Sequence, residues 1–142
     1  MSAALLAFLH ARLAEDAQAA AAASDGPWTP WRGKSLLHGL GQLEHAVMLP
    51  GQGVGSRASI ATASWMDSEH IARHHPARVL AEVEAKRQLV DRYERVLEDR
   101  RVHPDDLALA GALLALHGAV KLLALPYADH PDYLPELAPD RL

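Results

Sequence analysis

Three segments in a row decide the fold: Glu44-His45-Ala46-Val47-Met48-Leu49, then Pro50-Gly51-Gln52-Gly53-Val54-Gly55, then Arg57-Ala58-Ser59-Ile60-Ala61-Thr62-Ala63. Two short apolar-rich runs flank a turn-rich one. That order predicts a β-hairpin with a loose loop. A two-stranded hairpin is marginal by itself, so it has to pack on other elements. A third strand over 31–37 fits the same pattern, and Trp28, Trp31 and Trp65 are placed to cover the sheet. The whole region 27–66 is set apart by composition. It holds most of the glycines, all three tryptophans and three of the nine prolines, with no sustained helical period. The competing reading is an irregular loop, but long structureless loops are uncommon inside compact domains.

Outward from this region the chain turns helical. On the N-terminal side, Ser2 fits an N-cap, and Leu5, Leu6, Leu9 and Leu13 recur at helical spacing with Phe8 beside them. The helix continues through Ala19–Ala23 and ends where Ser24-Asp25-Gly26-Pro27 breaks it. The early His10, Arg12, Glu15 and Asp16 read as an amphipathic helix and not as a signal peptide.

On the C-terminal side, Asp67-Ser68-Glu69-His70 starts a short helix to about His74. Pro76 interrupts it and opens a second helix to about Asp99, with Val79, Leu80, Val83, Val90, Tyr93 and Leu97 as its apolar stripe. A last helix is expected from Pro104 to Leu125, where Pro126 stops it. It is apolar almost all round, and such a helix is expected to be buried all round. A chain of 142 residues has few elements to cover it, so oligomerisation is the simplest remedy. Ala108, Gly111, Ala115 and Gly118 line one face, where a second helix backbone could approach closely. Packing against the helix over 76–99 is the intramolecular alternative, and both can hold. The tail, 126–142, carries four prolines and two tyrosines. Tyr127, Tyr133 and Leu134 are expected to fold back on the body, and the last few residues to fray.

These readings give an α+β fold in a single domain, 1–142. Three main helices pack on a small antiparallel hairpin or three-stranded sheet. The segments are an N-terminal helix (1–25), the Trp/Gly-rich β region (27–66), a kinked helix pair (67–99), the apolar helix (104–125) and the Pro-rich tail (126–142).

Composition excludes several function classes. The chain has no cysteine, so a disulfide framework, a thiolate nucleophile and a Cys-ligated zinc are ruled out. Its formal net charge is −4, which disfavours nucleic acid as a partner of the whole domain. His117 and Lys121 within the apolar run argue against a membrane span, so a cytoplasmic protein with no membrane partner is expected.

The densest titratable cluster is Glu69-His70-Ile71-Ala72-Arg73-His74-His75. His70 and His74 are four apart and share a helix face, the spacing that aims two imidazoles at one ion. The zincin pattern would need Glu where this chain has Ile71. A third ligand would have to come from His103, His117, Asp129 or His130. The bland alternative is a helix end where these rings cap and pack. Gly51-Gln52-Gly53-Val54-Gly55 lacks the Lys-Ser/Thr of a P-loop, and Ser64 and Ser68 sit in no nucleophile elbow. The paired Asp105 and Asp106 read as helix-start residues. His117, inside the apolar helix, needs a hydrogen-bond partner.

His70-Ile71-Ala72-Arg73-His74-His75-Pro76-Ala77-Arg78-Val79-Leu80-Ala81-Glu82-Val83-Glu84-Ala85-Lys86-Arg87 resembles the central motif of an uncharacterised actinobacterial family found in Streptomyces and relatives. Leu122-Leu123-Ala124-Leu125-Pro126-Tyr127-Ala128-Asp129-His130-Pro131-Asp132-Tyr133 is similar to its second hallmark. Ala7-Phe8-Leu9-His10-Ala11-Arg12-Leu13-Ala14-Glu15-Asp16 and Gly26-Pro27-Trp28 fit as well, so the resemblance spans nearly the whole chain. The family usually has Asp where this chain has His75, which reads as a capping position. Many members carry cysteines between the last two helices, and this chain has none. About half of the chain also resembles, more loosely, small phage proteins of the Ead type. Neither resemblance implies an activity. The expected function is therefore a non-enzymatic interaction or assembly protein, partnered by itself as a homo-oligomer or by another protein, with no cofactor. The alternatives are a divalent-metal (zinc) protein or hydrolase on His70 and His74, and a phage-related or nucleic-acid-associated regulator.

Overall fold

The computed structural model describes residues 2–37, 41–51 and 57–139. In chain order they form α1 (Ser2–Ala22), β1 (Thr29–Leu37), β2 (Gly41–Pro50), β3 (Arg57–Ala61), α2 (Trp65–Arg73), α3 (Pro76–Val102) and α4 (Leu107–Ala124). Two short 3-10 turns follow, Leu125–Tyr127 and Pro135–Leu137. The fold is α+β and mostly helical, as expected. The third strand is present, and the sheet is antiparallel in the order β1-β2-β3. The loop centre proposed between the two later strands, at 52–56, and the last tail residues, 140–142, lie outside the described residues.

The residues group into two compact units, Ala17–Ala81 and Met1–Asp16 with Glu82–Leu142. In the first, β2 is the central strand. Thr29 pairs with Met48 and Trp31 with Ala46 on one side, and Val47 pairs with Ile60 on the other. Ala46, Val47 and Leu49 of β2 are buried as a result. The β1–β2 register shifts between Arg32 and Ser35. Gly33 sits within this irregularity, and a Cβ there would lie 2.8 Å from Cζ2 of Trp31. The indole therefore occupies space that only glycine leaves open. The tryptophans are half-buried: Trp28 Nε1 donates to the Ser24 carbonyl at 3.0 Å, and the Arg32 guanidinium lies 5.4 Å from the Trp65 ring centroid.

Helix α2 packs on β1 and β2. It starts at Trp65, two residues before the position read from sequence, because Ser64 is the cap and accepts from Asp67 N–H at 3.1 Å. Its buried residues are small, Ser68 and Ala72, four apart on one face. Small side chains let a helix lie close to a sheet. The Ser68 hydroxyl is satisfied by Thr62 Oγ1 at 2.6 Å.

The second unit is helical. Of the expected α1 stripe, Leu5, Leu9 and Leu13 are buried and Leu6 is half-buried, and Phe8 beside them is buried as well. Val83, Val90 and Tyr93 of α3 and Val120 and Ala124 of α4 are buried too, as is Leu137 of the tail. Two boundaries differ from expectation. α3 runs on to Val102, with Arg100 and Arg101 in the last turn, where the helix dipole favours cations. α4 begins at Leu107 and not at Pro104, because Asp106 is the N-cap and its Oδ1 accepts from Ala108 N–H at 2.8 Å and Leu109 N–H at 3.1 Å. Pro104 falls in the preceding turn.

Candidate functional site

The largest departure from expectation is on α4. The helix is apolar all round but is not buried all round. Leu107, Leu114, Leu122 and Leu125 are 85, 76, 56 and 42 % exposed. Ala108, Gly111, Ala115 and Gly118 are exposed as well. A Cβ added at Gly111 or Gly118 would meet nothing within 4 Å. At 100° per residue, these eight positions fall within a sector of about 120°. The stripe picked from sequence is thus one half of a broader open face, and the four leucines are the other half.

The rest of the helix circumference does the intramolecular packing. Val120, Lys121 and Ala124 are buried there, and Leu109, Leu113, Leu116 and His117 are half-buried. His117 has the partner it needs. The Tyr93 hydroxyl lies 2.7 Å from its Nδ1, with the ring centroids 5.7 Å apart. The alternative of packing against the preceding helix therefore holds for this face only.

Sequence reasoning missed a second constellation, where the tail meets α1. Phe8 is ringed edge-on by Tyr127, His130 and Tyr133, with centroids at 6.2, 6.0 and 5.7 Å. The Arg12 guanidinium lies 5.4 Å from the Phe8 centroid. It donates to Glu15 at 2.7 Å and to Asp132 at 3.4 Å, and reaches the His130 ring nitrogens at 2.6 Å. A guanidinium only donates, so the ring nitrogen it bonds is an acceptor. Tyr127 donates to Asp16 Oδ2 at 2.5 Å. Burial pushes the Tyr127 phenol well above the ordinary tyrosine value, and the hydrogen bond to Asp16 and the Asp16 and Glu15 charges push the same way against the opposing Arg12 cation. Arg12 Nε and the Tyr133 hydroxyl are buried with no hydrogen-bond partner among the described residues. Arg12 and His130 stand 118 positions apart in the chain, so no local spacing announces the contact. The one signal in the sequence is that both segments belong to the motifs that carry the family resemblance.

His70 and His74 do share a face. Their ring centroids are 4.5 Å apart, and both residues are exposed. His74 is the C-cap of α2, and its Nδ1 is engaged with the His70 carbonyl at 2.8 Å. Among the described residues no three His, Asp or Glu side chains gather to hold a metal ion. Of the third-ligand candidates, His117 is bonded to Tyr93 and His130 to Arg12.

Fold and face together define a class: a small α+β protein with a three-stranded sheet and an uncovered apolar helix face. The chain belongs to the family of unknown function DUF6221, whose model matches residues 2–139. No curated protein and no solved structure matches it.

Proposed function

We propose that this protein is a non-enzymatic interaction or assembly protein that forms homo-oligomers through the open face of α4. The observation that carries the reading is the set of three exposed leucines on one side of α4, continued by Leu125 of the following turn. Contiguous apolar surface of this kind marks interaction sites.

A second copy of the chain is the occupant favoured by the pattern. Leu107 and Leu114 stand seven apart, as do Gly111 and Gly118, and Ala108, Ala115 and Leu122. A seven-residue repeat keeps one seam of a helix against a partner helix. An antiparallel pair centred between Leu114 and Ala115 sets Gly111 opposite Gly118 and Leu107 opposite Leu122, so the surface is complementary to itself. Weighted by the surface each leucine still exposes, burying these side chains on two copies gains at most about 8–16 kcal/mol. That is comparable with the roughly 4–15 kcal/mol cost of association, so these leucines support a modest dimer and not an extremely tight one.

Length and composition also allow Leu107–Tyr127 to cross a membrane, with mean hydropathy 1.9 and 17 % of the window buried. The buried Lys121 and the Tyr93-bonded His117 favour a protein partner instead, because a bilayer penalises polar groups on a spanning helix. Light scattering in detergent-free buffer at low micromolar concentration tests the proposal. A dimer or higher oligomer is expected, and a well-behaved monomer overturns it.

A further inference from the structure

Where the open face meets α3, the helical unit contains an open cavity of about 420 Å³ lined by residues of α3 and α4, Leu114 of that face among them. That lies within the range of roughly 300–1,000 Å³ typical of small-ligand sites. Its walls are Leu97, Leu113 and Leu114. Three polar side chains enter the lining: Tyr93, His117 and Arg100. Tyr93 meets His117 at Nδ1, so Nε2 is the ring nitrogen not used in that contact. Arg100 gives one N–H to the His103 carbonyl at 3.2 Å. No carboxylate lines the cavity, although the chain carries 18 acidic residues against 14 Lys and Arg. The one fixed charge at this apolar site is therefore positive.

We infer that this cavity binds a small apolar monocarboxylate, with its hydrocarbon body against Leu97, Leu113 and Leu114 and its carboxylate on Arg100. The walls supply burial for the hydrocarbon. The guanidinium fork matches a planar carboxylate and strengthens the contact by charge. His117 Nε2 supplies a further polar contact and discriminates against a purely apolar ligand. Binding needs one chain only, although Leu114 also belongs to the face proposed above for a second copy.

Sodium octanoate, octan-1-ol and octylamine, titrated calorimetrically into the full chain, test it. One octanoate per chain is expected. Octanol binds at least about tenfold more weakly, because a charged hydrogen bond is lost, and octylamine does not bind. Arg100→Gln, at a half-buried rim position, weakens octanoate by a similar factor and leaves octanol unchanged. Leu113→Trp fills the cavity and abolishes octanoate binding. Leu107→Lys, on the open face away from the lining, leaves it intact, which separates the cavity from adsorption on α4. The inference is overturned by no octanoate binding at millimolar concentration, by unchanged affinity in Arg100→Gln, by equal binding of octylamine, or by binding that Leu107→Lys removes and Leu113→Trp does not.

Discussion

Arg12 is an almost fully buried cation, with 7 % of its side chain exposed, yet the carboxylates that pair with it are 58 and 72 % exposed. Removing the guanidinium therefore strands no buried anion, since Glu15 and Asp132 rehydrate. What is lost is the packing of the stem and the contact with the Phe8 ring. Arg12→Ala is expected to cost about 1–3 kcal/mol and not the larger penalty of a broken buried pair, as read by denaturant unfolding. Arg12→Lys recovers only part, because an ammonium cannot reach Glu15, Asp132 and His130 from one plane. Tyr127 gives a pH prediction with a definite sign. Its folded value is raised, so the phenol's contribution to stability is complete below the ordinary tyrosine value of ~10 and is lost as pH rises beyond it. A spectrophotometric titration of phenolate should show a late ionisation step, above the ordinary tyrosine value, that coincides with unfolding. In Tyr127→Phe that late step should be missing, and stability should change less between pH 9 and 11. A late step retained in the variant assigns it to another tyrosine.

At the scale of elements, α4 offers two experiments. Its N-terminus depends on Asp106, which satisfies two otherwise free N–H groups. Asp106→Ala should cost about 1 kcal/mol and lower Tm, with Asp106→Asn retaining most of the stability. The glycines give a prediction whose sign depends on what lies against them. In the single chain a Cβ at Gly111 or Gly118 meets open space, so Gly→Ala at either position should stabilise the fold by roughly 0.5–1 kcal/mol. If a second helix approaches those notches, the same changes weaken the oligomer. Gly111→Ala combined with Gly118→Ala should therefore raise thermal stability at high dilution and lower the association constant. A double variant that associates as strongly as the parent places the interface elsewhere. Gly33→Ala should destabilise, since the added methyl runs into the Trp31 ring.

For the whole molecule, the oligomeric state is the decisive measurement. Leu107→Lys and Leu122→Lys put charges on the open face without disturbing the buried one, and should shift the scattering mass to that of a monomer while circular dichroism stays unchanged. Retention of the parent mass in both variants would place the contact on another surface. The connections that hold the helical unit together are of long range. The tail returns to α1 across more than a hundred residues, which makes the unit slow to close compared with a local helical hairpin. Tail truncation before Tyr127 removes the partners of Phe8, Arg12 and Asp16 together, and is expected to abolish cooperative unfolding of the helical unit.

The sequence by itself determined the elements. Turn residues flanked by apolar runs placed β2 and β3, helical spacing placed Leu5, Leu9 and Leu13 inside, and Pro76 opened α3. These features are local, and backbone and side-chain preferences act within a few residues. The sequence also gave Ala108, Gly111, Ala115 and Gly118 a common face, because 3.6-residue periodicity is written in spacing. It did not reveal that the face is open. Burial depends on which elements reach α4, and only the tertiary structure showed that Leu107, Leu114, Leu122 and the adjoining Leu125 are exposed. The start of α4 was shifted by three residues, from the expected Pro104 to Leu107 behind the Asp106 cap, since Pro and Asp both suit a helix start and only the backbone decides between them. The Tyr93–His117 bond and the Arg12 cluster join residues 24 and 118 positions apart. Such pairings follow from packing of whole elements, and packing is not a property of any one segment.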